Sequence, residues 1–266
     1  MINSIFDADG NALPSMTESY LAWRAHCAKT HRPMQPTYEN GVCSLCKGWG
    51  ERETVQFGKM RCICAVAKRT QELDLQHSEY RSVTNADATL DNYKPWGTSA
   101  SQDQIIMLTD YLKEWAMWPS QWITIIGGVG SGKSHLLSAL DKIFKPWSLY
   151  ISVTDFESKA FRATKGNADY TLEDMLSVIQ QAPILLFDDL GLEHGSEYIV
   201  SLERSVMDFR YRRPEEYVTV VTTNIVKSEL YRWDARVADR IFDNKIGKQF
   251  VLDQIASRRR FDGNSY

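Results

Sequence analysis

This 266-residue sequence has little net charge, no long apolar runs and no cysteine after residue 64. The formal net charge is −3, so a general electrostatic attraction to nucleic acid is not implied and any DNA contact must be local. No run approaches the roughly 18 apolar residues of a membrane-spanning helix. The amino terminus also lacks the basic and apolar regions of a signal peptide. We therefore expect a cytoplasmic protein without a membrane partner.

The cysteines indicate a metal site. All five lie between residues 27 and 64, and in a chain expected to be cytosolic they favour metal binding or free thiols over disulfides. Cys43 and Cys46 form one closely spaced pair, and Cys62 and Cys64 form a second pair after 15 intervening residues. Two thiolate pairs on tight turns can complete a tetrahedral Zn²⁺ site that has no open position for catalysis. We predict a small zinc module that serves as a recognition surface; buried free cysteines are the alternative.

The chain divides into two parts, because the cysteines precede residue 65 and the nucleotide motifs follow residue 120. We predict an amino-terminal zinc-binding domain at residues 1–78, with helices at 17–29 and from about 65 to 78. Turn-forming residues and weak periodicity predict a linker at 79–100. The second domain then covers residues 101–266.

Helices and strands alternate in the second domain. Apolar residues at helical spacing predict one helix through Ile105 and Trp115. The predicted strands are 122–126, 148–153, 184–187, 217–221 and 249–252. The predicted helices are 133–144, 154–163, 172–181, 196–213 and two short ones within 227–242. Such alternation predicts an α/β fold, with a parallel sheet that is buried between two layers of helices.

A phosphate-binding loop is the most specific motif in the sequence. Residues 127–134 match G-x-x-x-x-G-K-S, between a predicted strand and a predicted helix, as the motif requires. In such loops the lysine, here Lys133, reaches the β- and γ-phosphates, and the hydroxyl of Ser134 ligates Mg²⁺. The helix dipole also favours an anion there. The predicted residues of an ATP site are Gly127, Gly128, Val129, Gly130, Ser131, Gly132, Lys133, Ser134 and His135.

Polar residues follow the next two buried strands. Asp188, at the tip of its strand, would hold the Mg²⁺ shell, and Asp189 would polarise the attacking water as general base. A solvated acidic turn is the alternative, but bound Mg·ATP needs such a carboxylate. The following strand ends in Thr223 and Asn224, either of which could reach the γ-phosphate or the water. A helix-capping role for Asn224 fits its spacing equally well.

The order of these motifs, followed by Arg-Val-Ala-Asp-Arg-Ile at 236–241, resembles the AAA+ ATPases. More narrowly, the sequence is similar to the DnaC/DnaI-type helicase loaders of bacteria and phages and to the related IstB transposition helpers. The matching stretches are 89–93, which resembles the segment before the family's ATPase core, 127–136, 185–191, 222–224 and 236–241. The resemblance covers roughly residues 85–260. It implies a P-loop AAA+ sheet with minimal or no lid, since only 14 residues follow the last strand.

The resemblance also implies roles for single residues. Asn224 would be the sensor 1 residue, and Arg258 would stand at the sensor 2 position. Arg240 would be the arginine finger that enters the ATP site of a neighbouring copy, so hydrolysis would depend on self-association; Arg236 is the alternative finger. Many members of the family carry Glu where this chain has Asp189, which leaves the rate of hydrolysis open.

Partners follow from the resemblance as well. The zinc module would dock on a DnaB-type replicative helicase, and the region after the second strand would grip single-stranded DNA. In that region Phe161 could stack on a base while Lys159, Arg162 and Lys165 follow phosphates; a core position for Phe161 is the alternative. Our leading hypothesis is an ATP-dependent loader of the helicase onto single-stranded DNA. The alternatives are an IstB-like helper that acts with a transposase on duplex DNA, and a nucleotide-gated adaptor with little turnover.

Overall fold

The structure is a computed structural model of the 266-residue chain. It describes residues 38–39, 42–43, 51–54, 58–61, 63–117, 119, 121–191, 196–214, 216–252, 255 and 257. Side chains are described from residue 71 onward, except that of Met117. Contacts divide the chain into two compact units, Met1–Gln76 and His77–Tyr266.

Two short antiparallel hairpins precede a helix in the first unit. The strands are β1 (Tyr38–Glu39) paired with β2 (Val42–Cys43), and β3 (Glu51–Thr54) paired with β4 (Gly58–Arg61). Helix α1 (Ile63–Ser78) follows them. Cys43 lies in β2 and Cys64 in α1, but their side chains lie outside the described residues, as do Cys46, Cys62 and the predicted helix at 17–29. Where side chains are described, no group of three or more His, Cys, Asp or Glu could hold a metal ion.

The second unit contains five strands and seven helices among the residues described. The strands are β5 (Trp122–Gly127), β6 (Ser148–Ser152), β7 (Ile184–Asp188), β8 (Val218–Thr223) and β9 (Gly247–Leu252). The helices are α2 (Ser99–Met117), α3 (Lys133–Phe144), α4 (Val153–Thr164), α5 (Leu172–Gln181), α6 (Glu197–Tyr211), α7 (Lys227–Trp233) and α8 (Ala235–Ile241). Every strand and helix predicted after residue 120 is confirmed within two residues at each end. None of the helices described is long and apolar enough to cross a membrane.

The five strands form one parallel sheet in the order β6-β7-β8-β5-β9. Every residue of β5, β7 and β8 is buried, as expected for a sheet covered by helices on both faces. The carboxyl ends of these strands meet at one edge, because Ile126 is in register with Thr223 and Phe187 with Val221. The predicted α/β class is confirmed. This edge collects the phosphate loop, the two aspartates and Asn224 in one crevice.

The segment 79–100, predicted as a linker, packs onto the second unit. Its buried apolar side chains are Tyr80, Ala88, Leu90, Tyr93 and Trp96. The guanidinium of Arg81 pairs with the carboxylate of Asp141 on α3 and donates to the carbonyl of Ser148 at 2.7 Å. Residues 79–98 have no regular structure that periodicity could reveal, yet they bury side chains one at a time. Its contacts belong to the unit that begins at His77.

A fully buried arginine joins α5, α6 and β8. The guanidinium of Arg210 donates to the Thr219 hydroxyl at 2.8 Å and to the carbonyls of Gln180 (2.9 Å), Ala182 (2.7 Å) and Val218 (2.6 Å). The carbonyls of Gln180 and Ala182 lie at the carboxyl end of α5, where unpaired carbonyls and the helix dipole favour a cation. Burial lowers the pKa of Arg210 to about 9. The side chain therefore serves as a structural cap.

We expect Arg210→Met to lower the free energy of unfolding by more than about 3 kcal/mol. The reason is that several buried carbonyls lose their donor, at a cost of about 1–3 kcal/mol for each group left unsatisfied. Urea unfolding followed by circular dichroism measures the change. Arg212→Met, at an exposed position two residues further, should stay within about 0.5 kcal/mol of wild type. Equal losses in the two variants would contradict the capping role.

A second buried ionisable group makes stability depend on pH. Glu203 on α6 is 2% exposed, and burial, together with the charges of Glu157 and Asp234, raises its pKa from 4.5 to about 8. The folded protein thus keeps a proton that the unfolded chain releases. The contribution of this proton to the free energy of unfolding is fully present below the pKa that Glu203 has in the unfolded chain. It is lost as pH rises toward the pKa of Glu203 in the folded protein, by up to about 1.4 kcal/mol per pH unit.

Glu203→Gln should remove this part of the pH dependence, because the amide does not titrate. We expect its free energy of unfolding, relative to wild type, to rise steadily between about pH 5 and pH 8. Urea unfolding at several pH values in this window gives the difference. A difference that is the same at every pH would show that Glu203 titrates normally in the folded protein.

Candidate nucleotide-binding site

The loop between β5 and α3 has the backbone that the motif predicts. Gly130 and Gly132 have φ angles of 82° and 85°, in the left-handed region that favours glycine. A Cβ on Gly132 would also lie 2.4 Å from Cε2 of Tyr93, so no side chain fits there. No side chain caps the start of α3 at Lys133. The first N–H groups of the helix are thus left for an anion.

Two side chains fix the loop from outside. The Tyr93 hydroxyl donates to the carbonyl of Ser131, and the Tyr93 ring lies 5.6 Å from the ring of His135. Nε2 of His135 lies 2.9 Å from Oδ1 of Asn92 and 3.1 Å from the carbonyl of Thr89. His135, predicted from the motif to bind ATP, therefore directs its ring at residues 89–93. This segment, singled out by resemblance, lies directly against the phosphate loop.

The ammonium group of Lys133 lies between the loop and the neighbouring strands. It donates to the carbonyls of Gly127 (2.7 Å) and Gly128 (3.1 Å) and to Oδ1 of Asn224 (2.6 Å). These three bonds use all the donors of a lysine. Burial lowers the pKa of Lys133, while the charges of Asp189 and Asp188 oppose that shift.

Asn224 connects this cation to the second aspartate. Its Nδ2 donates to Oδ1 of Asp189 at 2.8 Å, so one amide joins Lys133 and Asp189. Asp189 has a φ of 60°, which is uncommon outside glycine, and its N–H donates to the Thr222 hydroxyl at 3.0 Å. Burial raises the pKa of Asp189 and the charge of Asp188 adds to the effect, against the opposing influence of Lys133 and Asn224. A partly buried carboxyl with a raised pKa in a crevice is a candidate for proton transfer.

The first aspartate is held by two hydroxyls to which the sequence analysis assigns no role. Asp188 is 2% exposed; the Tyr150 hydroxyl donates to its Oδ2 at 2.9 Å, and the Thr222 hydroxyl donates to its Oδ1. Burial and the charge of Asp188 raise the pKa of Tyr150 far above its ordinary value. Thr223, the predicted alternative to Asn224, uses its hydroxyl to accept from the N–H of Ile225 at 3.1 Å. Thr222, one position earlier, is the threonine whose hydroxyl bonds both Asp188 and Asp189.

The predicted arginine finger is paired within its own chain. Nε of Arg240 lies 2.6 Å from Oδ1 of Asp208, and its guanidinium lies 5.2 Å from the centre of the Tyr211 ring. The Arg240 side chain is 21% exposed, whereas Arg236, one turn earlier on α8, is exposed. Arg258 lies outside the described residues.

The predicted DNA-contacting residues lie along α4. Phe161 is 60% exposed, so it is not a core residue, and the ammonium of Lys165 lies 5.4 Å from the centre of its ring. The side chains of Lys159 and Arg162 donate to backbone carbonyls of Glu79 and Asn167. An exposed aromatic ring thus lies beside the ammonium of Lys165.

Comparison with solved structures identifies the fold as a parallel sheet flanked by helices that is shared with part of DnaA. AMPPCP-bound DnaA from Aquifex aeolicus is similar over 68% of this chain, with 21% identity and a TM-score of 0.53. DnaA bound to AMPPCP and single-stranded DNA is similar over 64%, with 21% identity and a TM-score of 0.51. These matches span 53% and 51% of the DnaA chains, about half of their length.

The DnaC helicase loader is similar over 62% of this chain and 97% of its own, with 22% identity. Its TM-score is 0.46. No family model matches the sequence, and no curated protein matches it. The comparisons therefore define the fold.

Proposed function

We propose that this protein is an AAA+ ATPase that binds Mg·ATP at residues 127–134. The observation that carries the proposal is the chain of hydrogen bonds from Lys133 through Asn224 to Asp189, beside a glycine loop at a helix start. In this arrangement the Lys133 ammonium would bind the β- and γ-phosphates and the Asn224 amide would contact the γ-phosphate. The Asp189 carboxylate would polarise the attacking water.

Ser134 and Asp188 would hold Mg²⁺. The Asp188 carboxylate is oriented by two neutral hydroxyls, so it keeps its acceptor capacity for a cation or its water. The Ser134 side chain is exposed at the start of α3 and makes no hydrogen bond within the part of the chain described. Mg²⁺ prefers such oxygen ligands, keeps several waters, and needs only one or two carboxylates when phosphates complete its shell. When bound, it would neutralise charge on the phosphate oxygens.

A second copy of the chain would complete the site. We assign the arginine finger to Arg240, on the motif order that resembles AAA+ ATPases and on its position on α8 with a partly exposed guanidinium. Arg236 is the alternative finger, and Arg258 the sensor 2 residue. The finger would stabilise charge on the transferring phosphoryl group, so turnover would require self-association.

The proposed task of this ATPase is to load a DnaB-type replicative helicase onto single-stranded DNA. Support comes from the motif order, from the likeness to a DnaA structure that holds single-stranded DNA, and from the exposed Phe161 with its neighbouring cations. Lys159, Phe161 and Arg162 would contact the strand by stacking and by charge. The zinc module of residues 1–78, with Cys43, Cys46, Cys62 and Cys64 as ligands, would dock on the helicase.

Native mass spectrometry of the full chain mixed with its cognate helicase hexamer, with and without ATP, tests this task. We expect a complex that contains one Zn²⁺ per copy of this chain and that dissociates after hydrolysis on single-stranded DNA. Binding to duplex DNA in preference to single strands, without a helicase complex, would contradict loading and favour a transposition helper. A helicase complex with ATP bound but never hydrolysed would instead favour a nucleotide-gated adaptor.

A further inference from the structure

One threonine hydroxyl joins both acids of the crevice. Thr222 accepts from the N–H of Asp189 at 3.0 Å and also bonds Oδ1 of Asp188. The amide N–H can only donate, and a hydroxyl carries a single proton, so that proton is directed at Asp188. The carbonyl of Thr222 accepts from the N–H of Leu190 at 2.8 Å, which fixes the same turn through the backbone. Thr222 therefore sets the position of both acids.

Tyr150 holds the other oxygen of the same carboxylate. It lies on β6, on the opposite side of β7 from Thr222, and donates to Oδ2 of Asp188 at 2.9 Å. Thr222 is fully buried and Tyr150 is 5% exposed, so bulk water does not compete for these bonds. Because Tyr150 donates from β6 and Thr222 donates from β8, the carboxylate of Asp188 is held in one orientation.

Both donors are uncharged, and this matters for a cation. A lysine or arginine in their place would neutralise Asp188 and weaken its attraction for Mg²⁺. A hydroxyl orients each oxygen and leaves a second lone pair on it free. Residues that orient metal ligands in this way commonly contribute 10–100-fold to metal affinity.

We propose that Tyr150 and Thr222 are positioning residues that hold Asp188 in the orientation needed for the Mg²⁺ of bound nucleotide. The inference rests on the proposed function, since it takes Asp188 as the magnesium carboxylate. It concerns the affinity for the cation and requires no change in contacts to the nucleotide itself.

Calorimetric titration of the full chain with AMPPCP at increasing Mg²⁺ concentration tests the proposal. We expect Tyr150→Phe and Thr222→Val each to raise the Mg²⁺ concentration for half-maximal nucleotide binding by about 10-fold. AMPPCP affinity in excess chelator should stay at the wild-type value. Thr222→Ser keeps the hydroxyl and should have the wild-type Mg²⁺ requirement. Tyr217→Phe, just before the opposite end of β8, should not change it.

Two results would overturn the proposal. One is a Mg²⁺ requirement in Tyr150→Phe and Thr222→Val equal to that of wild type. The other is a parallel loss of binding with and without Mg²⁺, which would mean that the hydroxyls support the fold of the crevice rather than the cation. Failure of the wild-type protein to bind AMPPCP under any condition is a different outcome, because it would refute the nucleotide site itself.

Discussion

Arg240→Ala is expected to bind ATP as wild type does, yet to lose the turnover that depends on protein concentration, by about 10³-fold or more. A guanidinium supplied by a neighbouring copy stabilises charge that develops only as the phosphoryl group transfers, so its loss leaves binding unchanged. In its own chain Arg240 pairs with Asp208. Arg240 must therefore leave Asp208 in order to contact the nucleotide bound by the neighbouring copy. ATPase rates over a range of protein concentrations, beside calorimetric affinities for ATP, measure the effect.

Two variants serve as controls, and Arg240→Lys controls for the loss of the ion pair. Arg240→Lys keeps a cation beside Asp208 but lacks the planar fork of arginine, so it should fold normally and still turn over slowly. Arg232→Ala, at an exposed site on α7, should have the wild-type rate. A wild-type rate in Arg240→Ala, with the loss found in Arg236→Ala instead, would show that the finger is misassigned.

Lys133→Ala should weaken ATP binding by more than about 100-fold, because charge-assisted hydrogen bonds to phosphate contribute about 1.5–3 kcal/mol each. The variant also leaves Asn224 without its cation, so the thermal midpoint must be compared with that of wild type. Lys145→Ala, at an exposed position just after α3, should bind ATP normally. An ATP affinity in Lys133→Ala within a few-fold of wild type would remove the loop from the proposed site.

The fold and the centre of the site could be predicted because their signals are local. The loop at 127–134 carries its requirements in consecutive residues, and apolar runs that end in polar residues reveal the strands of a buried parallel sheet. The carboxyl ends of such strands share one edge, so Asp188, Asp189 and Asn224 can be assigned to the loop from the sequence alone.

Other residues could not be predicted because their partners depend on the order of strands in the sheet. Tyr150 and Thr222 are polar positions inside buried runs. They contact Asp188 only because β6 and β8 lie on either side of β7 in the sheet. Arg210 likewise reads as one of several arginines near the end of a helix, until the fold buries it against the end of α5. In residues 79–98 apolar side chains are buried without regular structure, so no periodic signal marks them.

A crystal structure of the protein with Mg·AMPPCP tests the central claim most directly. The account predicts the triphosphate on the backbone of residues 127–134, with the Lys133 ammonium moved from the Gly127 and Gly128 carbonyls to the β- and γ-phosphates. It also predicts Mg²⁺ between Ser134 and Asp188. Nucleotide bound elsewhere, or a loop that keeps Lys133 on its own carbonyls with no phosphate above it, would contradict the account.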